Sequence, residues 1–474
     1  MKRVSQTVVR HFSVTSRVCA VTWPKPDYGP MEVQRSTLLN GINVAAARSS
    51  GAQIGACTIM YQAGSRYEWD GQLGASHFIR ATSTATGCAY TAFAKARYLQ
   101  QHGASLTCSS DRQTVAFTLR CPLVCFSDLK YYLLDVATRC CYLPWEIDAR
   151  KTLVRGDLTR MDPEQRVMDL IQRACWAGPL GNSMFCEEER IDAMSPDNLK
   201  SFVDCNFTTD VCTVTSFGMP FEETIKLAEK IEFGRSQPDK RCEMVSFPRN
   251  GFELYDMGRN SDTWITIAVP GCGTYDLSCL LKHAIVAEAC GTANMQDGMH
   301  DLDRTPQPPL GLVAGDDVYT QYRMFNISYR ETGVFGILVK TRACSAWDTT
   351  LAAAEFLANV GDISFKQIEV GKNRLKLGLA LHDEDCVKVS EGLALQIAND
   401  VQIDSHRTCI PVVDALCAHE IRTTAKAISD RRRGAWAGFA GSVRRRAAPT
   451  QRVRRTTRAC ARAGASSSAD TPRV

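Results

Sequence analysis

Two stretches of this chain repeat one another 221 residues apart: Glu146-Ile147, Lys151 and Leu158 recur, with the same spacing, as Gln367-Ile368, Lys372 and Leu379. Solenoid repeats recur every ~20–50 residues, so an offset this long implies two copies of one domain. A chain of 474 residues is also too long for one ordinary core. The surrounding patterns agree. Val115, Phe117, Leu119 and Cys121 alternate with Ala116, Thr118 and Arg120, the two-residue period of a strand, and Ser127 then stands as the expected cap of a helix. That helix should bury Leu129, Tyr132, Leu133, Val136 and Ala137. In the second half the apolar run Val334 to Val339 precedes Ser345 and a helix expected to bury Trp347, Thr350, Leu351, Ala354 and Ala358. The divisions that follow are a leader at 1–26, domains at 27–232 and 252–442, a linker with Gly and Pro at 233–251, and a basic tail at 443–474.

Composition excludes several classes. Hydrophobic residues make up 45% and charged residues 23%, the balance of a globular chain. No apolar run approaches the ~18 residues that cross a bilayer, so membrane association is expected only through partners. The total charge is +5; residues 1–26 carry +5 and residues 431–474 carry +11, which leaves −11 for the body between them. An Arg-rich tail could bind nucleic acid or anionic lipid, but it holds one Trp and one Phe and follows no nucleic-acid-binding pattern. It reads as a solvated extension, with no nucleic-acid partner. The leader has Lys2, Arg3, Arg10, Arg17 and Lys25, no acid and several hydroxyl residues, which fits a mitochondrial transit peptide or a basic arm.

His77-Phe78-Ile79-Arg80-Ala81 has the shape of an altered metallopeptidase motif. In His-x-x-Glu-His, two imidazoles one helical turn apart hold zinc and the Glu serves as general base. Here Arg80 occupies the base position and Ala81 the second-ligand position, so a downstream carboxylate such as Glu164 or Asp169 could not complete a competent centre. The flanks carry the resemblance. Gly64-Ser65-Arg66-Tyr67-Glu68 with Gly74-Ala75-Ser76-His77, Leu180-Gly181-Asn182-Ser183-Met184-Phe185-Cys186, and Phe325-Asn326-Ile327-Ser328-Tyr329 with Thr332-Gly333-Val334-Phe335-Gly336 resemble segments of the mitochondrial processing peptidase and core-protein family. The match runs from Leu38 to Gly441 and is closest to the core-protein branch in respiratory complex III, ubiquinol-cytochrome c reductase.

That resemblance implies an α+β fold of two similar sheet-plus-helix domains, processing-peptidase-like, arranged as a clam shell. It implies a non-catalytic structural subunit at the matrix side of the inner membrane, in a hetero-oligomer with core subunit 1 and cytochrome b, and it favours the transit-peptide reading, with cleavage after His11 or Phe12. A non-catalytic alpha subunit of the processing peptidase is the second reading; an active zinc peptidase is the remote third. The alpha subunit's Gly-rich loop would fall near Ala289 to Gly298, where no glycine cluster exists.

Other chemical signals are weak. Twenty-one Cys in irregular spacing, in a chain directed to a reducing compartment, are expected to stay free and to serve mostly as small buried hydrophobes. His283, His300, His382, His406 and His419 are scattered without a partner at metal spacing. Pro270-Gly271-Cys272-Gly273 lacks the Gly-Lys-Ser/Thr of a phosphate loop and reads as a turn after the strand Trp264 to Val269. Leu302 to Asp317, with three Pro, reads as a surface loop. No cofactor and no bound metal are expected.

Overall fold

The computed structural model describes residues 31–49, 51–232, 245–256, 262–293, 309–314, 319–401, 408–431 and 435–440. The leader, most of the 233–251 linker, residues 294–298 of the expected Gly-loop position and the tail from residue 441 lie outside the described residues.

Two six-stranded sheets form the frame. The first comprises β1 (Glu32–Thr37), β2 (Asn43–Arg48), β3 (Ile54–Tyr61), β4 (Ser105–Ser110), β5 (Val115–Pro122) and β6 (Cys212–Phe217), in the order β1-β2-β6-β3-β5-β4. The second comprises β7 (Phe252–Asp256), β8 (Thr263–Pro270), β9 (Thr292–Ala293), β10 (Gln321–Ser328), β11 (Gly333–Thr341) and β12 (Ala435–Ala440), in the order β9-β10-β11-β8-β12-β7. Read from β7, the second sheet repeats the first read from β2. The parallel pair falls at the same place in each, β2 with β6 and β12 with β7, and the other pairings are antiparallel. The fold is the α+β architecture that the motifs implied.

Helices repeat as well. α1 (Ala75–Thr82), α2 (Ala92–Gln101), α3 (Phe126–Thr138), α4 (Pro144–Arg160), α5 (Pro163–Cys175) and α6 (Pro196–Asn206) occur in the first half. In the second are α7 (Leu277–Cys290), α8 (Ala346–Ala358), α9 (Phe365–His382), α10 (Cys386–Ala398) and α11 (Ala418–Ser429). Local sequence sets their starts. Pro144 and Pro163 supply the fixed φ of a first turn, Ser364 and Gln367 form a capping box on α9, and the Asp385 carboxylate accepts from Val387 N on α10.

The two halves exchange helices. α5 leaves its own sheet and lies on the second, where Val167, Ile171 and Ala174 cluster with Ala268, Phe325, Val334 and Leu338. α10 makes the reciprocal crossing. Its Ala394 and Ala398 pack on Met60 and Ala116, and its Val389 and Leu393 on Ala47. A polar seam fixes its rotation: Thr215 Oγ1 donates to the Ser390 carbonyl at 2.8 Å, Ser390 Oγ donates to Thr58 Oγ1 at 2.9 Å, and Thr118 Oγ1 donates to Glu391 Oε1 at 2.7 Å. Full burial of each large apolar side chain in such a contact is worth about 1.5–3 kcal/mol.

Three local expectations change. Ser127 does not cap α3; Cys125 holds the cap position without a side-chain bond, because the preceding turn Leu123–Cys125 already leads into the helix. The face expected for α3 is buried nonetheless. α8 turns Ala346, Thr349, Ala353 and Leu357 inward and leaves Trp347 and Leu351 60% and 51% exposed, since an Ala-rich helix offers two apolar faces and the smaller one fits the sheet closely. Within the Leu302 to Asp317 stretch, Pro309–Ala314 is helical with Leu310 buried; the remainder lies outside the described residues.

Candidate functional site

The quoted motifs converge around the start of α1. Gly74 precedes the helix at φ 94°, and a Cβ there would stand 2.5 Å from Cys186 Cβ, so a side chain is excluded by conformation and by space. No side chain at the cap position can satisfy the first amides. Glu68 does so instead, its carboxylate accepting from Gly74 N at 2.8 Å and Ser76 N at 2.7 Å. Burial raises Glu68 to about 7, against the opposing pull of those hydrogen bonds. Gly64 lets this segment lie on the Asp111-Arg112 backbone, 2.4 Å from where its Cβ would be. Asn182 Nδ2 then donates to Ser65 O at 3.1 Å, tying the Leu180 to Cys186 segment to the same place. These motif residues build the helix start.

His77 is fully buried. Its Nδ1 accepts from Cys186 N at 3.2 Å, which puts the ring proton on Nε2, and Nε2 faces Asp157 Oδ2 on α4 at 3.5 Å. Burial first, then the Arg80 guanidinium, lower His77 to about 4, with Asp157 pulling the other way. Arg80 donates to Ser110 Oγ at 3.1 Å and stacks over Phe185 with 5.4 Å to the ring centroid. Beside it opens a cavity of about 560 Å³ lined by Arg80, Asp157, Arg160, Met161, Glu164, Gln165, Met168, Met184 and Phe185. Ala81 is half-buried and packs against the first core, presenting only a methyl group.

Glu164 and Asp169 are not the carboxylates at His77. Glu164 is paired to Arg323 of the second half. Asp169 is paired to buried Arg112 and accepts from Ser183 Oγ at 2.6 Å. Their positions on α5 explain this, because that helix turns away to cover the other sheet. The carboxylate that reaches the imidazole is Asp157, which sequence reasoning missed. The available signal was its place three residues after buried Val154, an exposed position beside the stripe that runs through Ile147.

Two oxygen and nitrogen donors, His77 and Asp157, therefore meet at the position where the motif would hold a cation, and a guanidinium shares that space. Three protein ligands plus an open position are the rule for catalytic zinc. This arrangement offers two, and no carboxylate on α1 to take a proton from water.

The fold and the arrangement around α1 are similar to those of peptidase family M16, whose model matches part of the chain. Residues 43–188 match the family model described as insulinase, peptidase family M16. Over its length the chain is similar to the human protein "Cytochrome b-c1 complex subunit 2, mitochondrial", 23% identical over 412 residues, covering 84% of this chain and 87% of that protein. The rat protein of the same name is 24% identical over 389 residues, covering 78% and 80%. "Mitochondrial-processing peptidase subunit alpha" of Solanum tuberosum is 22% identical over 411 residues, covering 84% and 80%. Among solved structures, a chain of "Complex III2 from Candida albicans, Inz-5 bound" shares the fold, with a TM-score of 0.71, 15% identity, and coverage of 86% of this chain and 96% of that one. The resemblance to the processing-peptidase and core-protein family is borne out.

Proposed function

We propose that this chain is a non-catalytic structural core subunit 2 of the mitochondrial cytochrome b-c1 complex, respiratory complex III. The observation that carries the reading is similarity over most of the chain to proteins of that name, 84% and 78% of this chain for the human and rat examples. The site supports it, because Arg80 and Ala81 stand where a general base and a zinc ligand would be required. The chain acts by surface: it pairs with core subunit 1 and supports cytochrome b on the matrix side of the inner membrane. No helix among the described residues is long and apolar enough to cross a membrane, so attachment to that membrane runs through partners. Obligate interfaces of this kind bury about 2,000 Å² or more.

The alpha subunit of the processing peptidase is the second reading, favoured by the similarity over 84% of the chain to the Solanum tuberosum protein. Native-gel separation of detergent-solubilised mitochondria distinguishes them. Co-migration with cytochrome b and cytochrome c reductase activity is expected; a soluble pairing with a subunit bearing intact His-x-x-Glu-His would replace the first reading with the second.

A further inference from the structure

The helix that follows β8 is the duplicate of the helix that follows β3: α7 packs on α9, α11 and β10 as α1 packs on α4, α6 and β4. In the first half that helix carries His77. In the second it carries His283, four residues after Cys279 and therefore on the same helical face, with Cys272 in the turn leading in. Cys279 Sγ lies 3.6 Å from His283 Nδ1, and one ligand atom from each of Cys272, Cys279 and His283 lies within 4.8 Å of the others. Tetrahedral zinc with bonds of about 2.3 Å to sulfur and 2.0–2.1 Å to nitrogen holds its donors roughly 3.5–3.8 Å apart, so small rotamer changes suffice.

We propose that Cys272, Cys279 and His283 form a second-half zinc site, unrelated to peptidase chemistry, in which the metal pins the β8–α7 turn to the first turns of α7. One further observation points to a ligand. His283 is 2% exposed, and its Nε2 has no hydrogen-bond partner, while Nδ1 is 2.8 Å from the Cys279 carbonyl. A buried imidazole nitrogen left unpaired is costly, and a metal bonded at Nε2 relieves that cost while Nδ1–H goes on donating to the Cys279 carbonyl. The turn is also built to close tolerance. Gly271 N donates to Gly333 O at 2.7 Å and Thr274 N to Tyr329 O at 2.8 Å, while Gly273 leaves a Cβ no more than 2.8 Å from Arg330 and Glu331 backbone.

Two thiols and one imidazole are a donor set suited to Zn2+ and ill suited to magnesium or calcium, which take oxygen. Binding releases two thiol protons to solvent and involves no electron transfer. Burial raises the Cys272 thiol to about 11, so the metal and not the solvent pH drives that deprotonation. The fourth position falls to water or to Ser328, whose Oγ is 3.9 Å from Cys272 Sγ.

The test uses the full-length chain purified in its assembly, stripped with chelator and reloaded with Zn2+ or Co2+ as the only added metal. The wild type should take up about one zinc per chain, and the cobalt form should show a thiolate-to-cobalt charge-transfer band. Cys272→Ser with Cys279→Ser should abolish both, whereas His77→Ala should keep both. Because a double serine variant could fold poorly, the cobalt spectrum of the wild type and protection of Cys279 from alkylation by bound zinc provide readouts that need no variant. A folded wild type that takes up no zinc, a cobalt form without the thiolate band, or zinc uptake retained by the double serine variant would overturn the site.

Discussion

His77 is held at zero exposure between Asp157 and the Arg80 guanidinium, and its lowered pKa of about 4 has a consequence for stability. The folded chain refuses a proton that the unfolded chain accepts near pH 6.5, so this residue contributes stability above that pH and loses it as pH falls toward 4. The full effect is at most about 3 kcal/mol. Urea midpoints at pH 7 and at pH 4.5 should therefore lie closer together in His77→Gln than in the wild type; an unchanged gap would show that the imidazole is not held neutral. Glu68 acts in the opposite sense, because its raised pKa of about 7 costs stability as pH rises from 4.5 through 7. Its two backbone bonds still matter more. Glu68→Ala should lower stability by about 1–3 kcal/mol and loosen α1 in hydrogen exchange, since two buried amides lose their acceptor. The double substitution Arg80→Glu with Ala81→His should give no vigorous cleavage of a presequence peptide, because restoring the motif on α1 does not rebuild a substrate groove around it. Robust turnover by that variant would show that the groove has been kept.

Exchanged helices are the feature of this fold that no local pattern announces. Arg112 and Asp169 make a buried pair between the β4–β5 turn and α5, the helix that crosses to the other sheet. Arg112→Met should cost about 3–5 kcal/mol by leaving Asp169 buried without its cation, as read from the thermal midpoint. Expression of residues 1–250 alone should yield insoluble protein, since β3 and β5 would lose the cover of α10, whereas co-expression with residues 245–440 should restore a soluble pair. Soluble, cooperative unfolding by the first fragment alone would contradict the exchange. The strand pattern at Val115 to Cys121 and the 221-residue repeat revealed the elements and their duplication because period and spacing are local properties. They did not reveal that Ala116 and Thr118 are buried as deeply as Val115 and Phe117, because the helix covering them lies about 270 residues further along. The same limit explains the site. His77, Arg80 and Ala81 were legible within five residues, while Asp157 came to His77 only through the docking of α4 on α1; Glu164 lines the neighbouring cavity but is paired to Arg323, and Asp169 is paired to Arg112. Cys279 and His283 carry a fainter signal: a Cys four residues before a His on one helix puts both on one face, a spacing unlike the Cys-x-x-Cys pairs of structural zinc sites.

At the scale of the whole molecule, two duplicated halves are joined through exchanged helices, α5 on the second sheet and α10 on the first. The acidic body, −11 over residues 27–430, sits between basic ends and is compatible with a structural role without demanding it. In the proposed role the chain supports complex III without chemistry of its own. The most direct test replaces it, in cells depleted of the native protein, with a chain carrying His77→Ala and Arg80→Ala, then measures assembled complex III and cytochrome c reductase activity. Restoration of both to within about 20% of the wild-type rescue is the expected result, given that both side chains make only local contacts, with Cys186, Asp157, Ser110 and Phe185. A stable, correctly imported variant that fails to restore activity would contradict the claim.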